Sequence, residues 1–334
     1  MTQKSGEKVS EKIRKTLIQK SAKALTIAHQ EILSENPQSK EAQDAIEYYV
    51  ANWKEAIHPG LIAFTSEAVG GDPEKLLDMQ VVMLLFAAAI DLHDDIIDNS
   101  LKKGGKFTVF GKFGRDITIL LGDAFMIKGF ALLNRAEEKL SPEKRKQVSA
   151  LIKHALFEVG DAHALELKFK RRWDADPNDY LKVLEKKAAI IEAEAKIGAL
   201  VGGGKTHEIE ALGRYGRVLG LMGALREDFI DIFEVQELSN RIKNECLPIP
   251  IMYALRDAKA SKEICQILSK KKIKEEDSWR LVDIVYNTKT VKKLREEMLK
   301  NIVNALNVLA VFKDSHAVTF LKTLMKSTME DLES

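Results

Sequence analysis

The stretch AAAIDLHDDIIDN (residues 87–99) sets a run of small and apolar residues, fit for a buried helix, directly against Asp91, Asp94, Asp95 and Asp98. Asp94 and Asp98 are four apart and Asp91 precedes Asp94 by three, so on a helix these three share one face with Asp95 at its edge. Like charges at that spacing repel, and burying an unpaired carboxylate costs several kcal/mol or neutralises it. The stretch therefore calls for cations at the end of a buried helix.

Outward from it the pattern is helical nearly everywhere. Pro37, Pro59, Pro73, Pro142, Pro177, Pro248 and Pro250 fall mostly where helices begin or end. GGDPEKLLDMQ (residues 70–80) reads as a helix stop, an Asp72 cap, Pro73 at the first helical position and Glu74 in the first turn. LSPEKRKQV (residues 140–148) repeats that logic with Ser141. DADPNDYLKVLEKKAAIIEAEAKIGALVGGG predicts a turn, one long helix to about Val201 and a glycine stop. No alternating strand pattern, flexible linker or fixed-period repeat stands out, so residues 1–334 read as one all-α domain of a dozen or so helices.

The composition is that of a soluble globular protein, 45% hydrophobic and 31% charged. A net charge of +2 gives no reason to expect nucleic acid. Cys246 and Cys265 support neither a disulfide framework nor a zinc site and read as small buried hydrophobes in a reducing compartment. The polar start lacks a signal-peptide core, and the apolar run at residues 81–90 is half the roughly 20 residues a membrane span needs. A cytoplasmic protein without a transmembrane segment is expected.

A second cluster follows. In REDFIDIFE (residues 226–234), Glu227 and Asp231 are four apart, with Asp228 between them. They continue a stripe of Gly213, Gly216, Gly220 and Gly223 on one helix from about His207 to Glu234. Mid-helix glycine costs roughly 0.5–1 kcal/mol relative to alanine, so the stripe implies close helix approach, a smooth groove for an apolar ligand, or both. Oxygen-only ligands favour a hard cation, Mg²⁺ or alternatively Mn²⁺. Facing clusters suit several such ions gripping a diphosphate, with an apolar cavity for the attached hydrocarbon. Ionising that carbon–oxygen bond gives a carbocation that must be shielded from water, which makes an allylic prenyl diphosphate the natural substrate class.

At these residues the chain resembles the trans-isoprenyl diphosphate synthase (polyprenyl synthetase) family. LHDDIIDNS is similar to its first aspartate-rich motif, DDxxD, and GLMGALREDFIDIF stands where its second motif belongs. The resemblance runs from about Pro59 to Leu255. It implies an isoprenoid synthase-type helical bundle around a central cavity, three Mg²⁺ ions and a homodimer. Asp94, Asp98 and Glu227 would be the main metal ligands, with Asp95, Asp228 and Asp231 completing the shell. Lys187 and Lys243 would neutralise the allylic diphosphate. Residues five, eight and eleven before Asp94, namely Ala89, Phe86 and Met83, would line the tail cavity. At ~1.5 Å per residue Phe86 lies roughly 12 Å below Asp94, which points to a C20-like product.

The chain also departs from the family. The GKxxRP-type segment that binds isopentenyl diphosphate appears as WKEAIHPG, with Glu55 at the lysine position and His58 before Pro59. The Arg-Arg-Gly after the first motif is Lys102, Lys103 and Gly104, and the second motif's Phe-Gln is Gly223–Ala224. A rebuilt second site would use His58, Lys54, Lys102 and Lys103. The departures leave other readings open: an enzyme acting on allylic diphosphates without isopentenyl diphosphate, or a regulatory subunit partnering a paralogous synthase. VGGGKTHE (residues 201–208) misses a P-loop by one glycine and follows a helix, so it reads as a cap and loop. A His-Asp phosphohydrolase would explain His93–Asp94 but neither the second cluster nor the glycine stripe.

Overall fold

The computed structural model describes residues 9–329. The elements in chain order are α1 (Val9–Leu33), α2 (Lys40–Asn52), α3 (Ile57–Ala68), α4 (Leu77–Ile97), the strands β1 (Lys102–Lys103) and β2 (Lys106–Phe107), α5 (Val109–Glu137), α6 (Pro142–Glu166) and α7 (Pro177–Lys187). They continue with α8 (Ala189–Gly202), α9 (Thr206–Asp231), α10 (Val235–Asn244), α11 (Ile249–Ala254), α12 (Ala258–Leu268), α13 (Glu275–Asn287), α14 (Lys289–Val308) and α15 (His316–Ser327). The fold is all-α apart from one two-stranded hairpin among the described residues.

The chain divides into two compact units. Of the described residues, unit 1 comprises 9–151, 193–213 and 309–327; unit 2 comprises 152–192, 214–308 and 328–329.

In unit 1, α4 packs chiefly on α5, and also on α1 and α3. Its apolar face, including Met83, Leu84, Leu85, Phe86, Ala89 and Leu92, is fully buried, each large side chain contributing about 1.5–3 kcal/mol. Two glycines of α5 let the helices close. A Cβ on Gly129 would stand 2.7 Å from the Phe86 ring, and one on Gly122 would stand 2.5 Å from the His93 ring. His93 is therefore a packing residue of this seam, 3.2 Å from Asp123. By length and hydropathy α4, with the turn before it, would pass for a membrane span, yet it is mostly buried as the core of this unit.

The predicted caps form. Asp72 accepts from the Glu74 amide at the start of a 3₁₀ turn, Pro73–Leu76, that leads into α4. Ser141 precedes α6, accepting from the Lys144 amide at 3.4 Å, and Asp176 caps α7. The GGGK stretch is a loop between α8 and α9, with Gly203 at φ 93°.

Two expectations need correction. The hairpin carrying Lys102 and Lys103 was not expected; Gly104 and Gly105, at φ 53° and 77°, make its turn, the positive-φ pair that matches strand twist. The long helix expected to run to about Val201 breaks at Ala188. In unit 2, Arg217 donates to the Glu185 carbonyl at 2.8 Å and also binds Glu158 and Glu192, so it satisfies the last turn of α7 in place of helix continuation.

Candidate functional site

The first acidic cluster forms at the end of α4. Asp94 and Asp95 lie in its last turn and Asp98 is the C-cap; Asn99 follows at φ 54°, ending the helix. Asp94 and Asp98 are half-buried and Asp95 is buried. Lys103, delivered by the hairpin, bridges Asp91 at 2.9 Å and Asp95 at 2.7 Å. Burial drives the Asp95 carboxyl up to about 7 against the pull of Lys103. The Lys103 ammonium loses solvation, but Asp91 and Asp95 hold it well above the ordinary lysine range. Lys103 donates a hydrogen bond to Asp91, and its contact with Asp95 is an ion pair. Lys102 is exposed, its ammonium 4.5 Å from the Phe107 ring centroid.

Beside this cluster lies a cavity of about 460 Å³ within unit 1. Tyr48, Tyr49, Trp53 and Phe107 give it aromatic walls; Lys54, His58, Lys103 and Lys106 bring cations, and Glu55, Asp91 and Asp95 acids. Glu55 does not stand loose in it. Its Oε1 accepts from the amides of Ala56 and Ile57 at 2.8 and 2.6 Å, a carboxylate at a helix N-terminus. His58 pairs through Nδ1 with Glu194 of α8 at 2.7 Å; the ring is 15% exposed and the carboxylate fully buried. Burial opposes charge on the ring, but Glu194 and then Glu55 raise His58 to about 9. Burial raises the Glu194 carboxyl as well, against the pull of His58.

In unit 2, the second cluster ends α9. Glu227 is exposed, Asp228 buried and Asp231 partly buried. Arg241 of α10 approaches Asp228 Oδ1 at 2.6 Å, Asp231 at 3.5 Å and Glu245 at 3.6 Å, and donates to the Cys246 carbonyl at 3.0 Å. The other Asp228 oxygen accepts from the Ile249 amide at 2.8 Å. Burial raises Asp228 despite Arg241, and raises Asp231 to about 7. Asp228 therefore ties α9 to α10 and the start of α11. Both its oxygens are engaged within the unit.

Lys187, at the end of α7, pairs with the buried Glu166 at 2.5 Å. Lys243 is exposed in the last turn of α10, and Arg241, two residues earlier, is the cation that the second cluster receives. Gly220 admits the Ala188 backbone and Gly213 the Lys196 stem, whereas nothing stands within 4 Å of a Cβ on Gly223. Met83, Phe86 and Ala89 are fully buried. None of them lines the 460 Å³ cavity, whose α4 wall is Ala87, Ala88, Asp91 and Asp95. Phe86 instead meets Phe130 edge-on, 4.9 Å between centroids.

Among the described residues no three His, Cys, Asp or Glu side chains converge as a ready metal cage. Mg²⁺ commonly takes one or two carboxylates and completes its shell with water and phosphate. Asp94 and Asp98, all-oxygen donors one turn apart at the end of α4, fit that demand, and the exposed Glu227 fits it on α9.

Residues 39–285 match the model of the polyprenyl synthetase family. The chain is similar to a short chain isoprenyl diphosphate synthase of Methanothermobacter thermautotrophicus, 32% identical over 58% of this chain and 59% of the relative. It is similar also to a geranylgeranyl diphosphate synthase of Methanosarcina mazei, 28% identical over 62% of this chain and 64% of the relative. The matched stretch thus spans less than two thirds of either relative. A crystal structure of a geranylgeranyl pyrophosphate synthetase from Pyrococcus horikoshii superposes with a TM-score of 0.83 at 24% identity, over 96% of this chain and 99% of that one. At that identity the likeness is one of fold.

Proposed function

The chain belongs to the polyprenyl synthetase family, and from that premise we propose that it is a Mg²⁺-dependent trans-prenyltransferase. It joins an allylic prenyl diphosphate to isopentenyl diphosphate and yields a trans-prenyl diphosphate of geranylgeranyl length. The observation that carries this reading is the end of α4, where a carboxylate cluster meets an aromatic-walled cavity supplied with lysines and an imidazolium. The relatives named as geranylgeranyl diphosphate synthases support the product class.

Asp94 and Asp98 would hold Mg²⁺ in unit 1, and Glu227 would do so in unit 2. When bound, Mg²⁺ neutralises the allylic diphosphate and makes it a leaving group. Lys187, oriented by Glu166, adds a cation for that diphosphate. Tyr49, Trp53 and Phe107 exclude water from the second substrate's alkene as it attacks the allylic cation. His58 and Lys103 receive the second diphosphate. Proton loss to the released diphosphate completes the condensation.

A homodimer is part of the proposal. On α5, Leu120 and Ile127 are exposed and line a mostly apolar groove with Ala42 and Ile46 of α2; an exposed face of that character suits a second copy. Glu55, at the family's lysine position, is held by the amides of Ala56 and Ile57.

The test is turnover of the purified chain with Mg²⁺, geranyl, farnesyl or geranylgeranyl diphosphate and labelled isopentenyl diphosphate. Labelled product supports the reading; none with any allylic primer overturns it. Product length is set, on this reading, by the buried face of α4, so Phe86→Ala should lengthen the product by mass spectrometry. An unchanged product removes Phe86 from the account.

A further inference from the structure

The 460 Å³ cavity poses a charge problem. It must receive an anion, yet Glu55, Asp91 and Asp95 all line it, and Lys103 is shared between the last two. One cation on its wall is held differently. His58 stands in the first turn of α3 with Nδ1 committed to Glu194, a carboxylate with no exposed surface, 136 residues away in the sequence. Glu194 Oε2 has no hydrogen-bond partner among the described residues. So the buried acid has one engagement of this kind, the imidazole ring. A buried, half-satisfied glutamate is expensive to keep, and its one visible product is a fixed, charged histidine on the cavity wall.

We propose that the His58–Glu194 pair is the anion anchor of this cavity. Glu194 acts as a positioning residue that fixes the ring and its charge, and the ring's Nε2–H is left to bind the diphosphate of the second substrate. A carboxylate on one ring nitrogen sets the proton on that side and strengthens the other nitrogen as a donor. The charged groups around the ring are Glu194 from α8, Glu55 ahead of α3 and Asp91 from α4; Lys54, Asp95, Lys103 and Lys106 face the same cavity. Glu55 is occupied by two backbone amides and Asp91 by Lys103, so Glu194 is the acid dedicated to the ring. This inference rests on the proposed function for the identity of the anion, and on the geometry alone for the anchor.

Two measurements on the full chain test it. Imidazole NMR, with His58 assigned by loss of its signal in His58→Gln, should show the ring still protonated at pH 8. In Glu194→Gln the same ring should titrate below pH 7. A His58 ring that is neutral at pH 7.5 in the unaltered chain overturns the proposal. Binding of inorganic pyrophosphate in EDTA at pH 7.5 should weaken about 10–100-fold in Glu194→Gln, the worth of one charged hydrogen bond. His58→Arg in that background should restore binding, since arginine keeps its charge without a partner. Unchanged pyrophosphate binding in Glu194→Gln overturns the anchor. Neither readout needs turnover, so a chain that binds pyrophosphate through His58 but makes no product would sink the transferase reading and keep the anchor. If turnover is seen, Glu194→Gln should raise KM for isopentenyl diphosphate while kcat stays within about twofold; a fall in kcat alone overturns the anchor as a binding device.

Discussion

The two acidic clusters share a spelling, Asp94-Asp95-x-x-Asp98 and Glu227-Asp228-x-x-Asp231, and in both the second acid is the buried one. In both, that buried acid is taken by a basic side chain. The difference is which one. Asp95 receives Lys103, a single ammonium on a hairpin, about half-exposed and shared with Asp91. Asp228 receives Arg241, a buried guanidinium that also reaches Asp231, Glu245 and a backbone carbonyl. A planar fork can organise several acceptors at once, whereas an ammonium is a compact charge on a flexible stem. The second cluster is thus braced as part of its unit's packing, while the first is tethered by a mobile type of cation and left more adaptable. In each motif the acids divide by burial into one that holds the structure and one, Asp94 or Glu227, suited to meet a ligand.

The largest effect expected from this division is catalytic. Asp94→Asn and Glu227→Gln should each lower kcat by about 10²–10³-fold, the usual loss when a group stabilising transition-state charge is removed. Asp228→Asn should act first on stability, seen as a lower urea midpoint, because it weakens both the Arg241 and Ile249 bonds. Steady-state turnover and urea melts on the three variants read the two effects separately. If Asp228→Asn loses activity as steeply as Glu227→Gln with an unchanged midpoint, the division is broken.

Next comes Arg241→Ala. Removing one partner of a buried ion pair leaves the other uncompensated and typically costs about 3–5 kcal/mol. Here Asp228 is left buried, with Asp231 and Glu245 beside it. The urea midpoint should drop accordingly, and Arg241→Lys should recover part of it but lose the fork. A midpoint unchanged in Arg241→Ala would mean that the second cluster is no more braced than the first.

Much of this was legible in the sequence, and the limits have a physical form. The helix ends at Asp72–Pro73, Ser141–Pro142 and Asp176–Pro177 depend on residues within a few positions of one another, so local pattern finds them. The clusters on α4 and α9 were legible for the same reason, since spacing on one helix is a local property. The break at Ala188 depends on Arg217, some thirty residues later, and no local signal marks it. Glu194 reads as one more charge on an amphipathic helix until its partner is known. The pairing of Arg241 with Asp228, thirteen residues apart on two helices, depends on how α10 packs against α9 and has no local signal either. Only the hairpin was there to be read: Lys103-Gly104-Gly105-Lys106 is a short-turn signal in two glycines.

A pH series sharpens the contrast with a smaller effect. The cavity beside the first cluster carries a titratable cation, His58, raised to about 9 in the folded chain from an ordinary value of 6.5. The stability it contributes is fully present below pH 6.5 and is lost as pH rises through 9. Arg241 keeps its proton throughout that range. Melting temperature should therefore fall between pH 6.5 and 9.5, and Glu194→Gln should flatten that part of the curve. An alkaline loss that persists unchanged in Glu194→Gln would have to come from elsewhere.

Lys103→Ala gives the smallest and most discriminating change. Because Lys103 is about half-exposed, its ion pairs should be worth about 1 kcal/mol or less to stability, well below the loss for Arg241→Ala. Its removal also takes away the charge that restrains Asp95, whose carboxyl burial already drives up to about 7. Asp95 can respond by taking a proton, an escape that limits the cost of losing a lysine partner. Burial raises the Asp228 carboxyl too, but Asp231 and Glu245 are crowded beside it, and one added proton cannot discharge three acids. Urea midpoints of Lys103→Ala and Arg241→Ala at pH 6 and pH 8 should thus separate. The first variant should be nearly as stable as the unaltered chain at pH 6 and slightly weaker at pH 8, while the second should be weak at both. Equal losses in the two variants would show that arginine and lysine do the same work in the two clusters, and the contrast drawn from their geometry would fail.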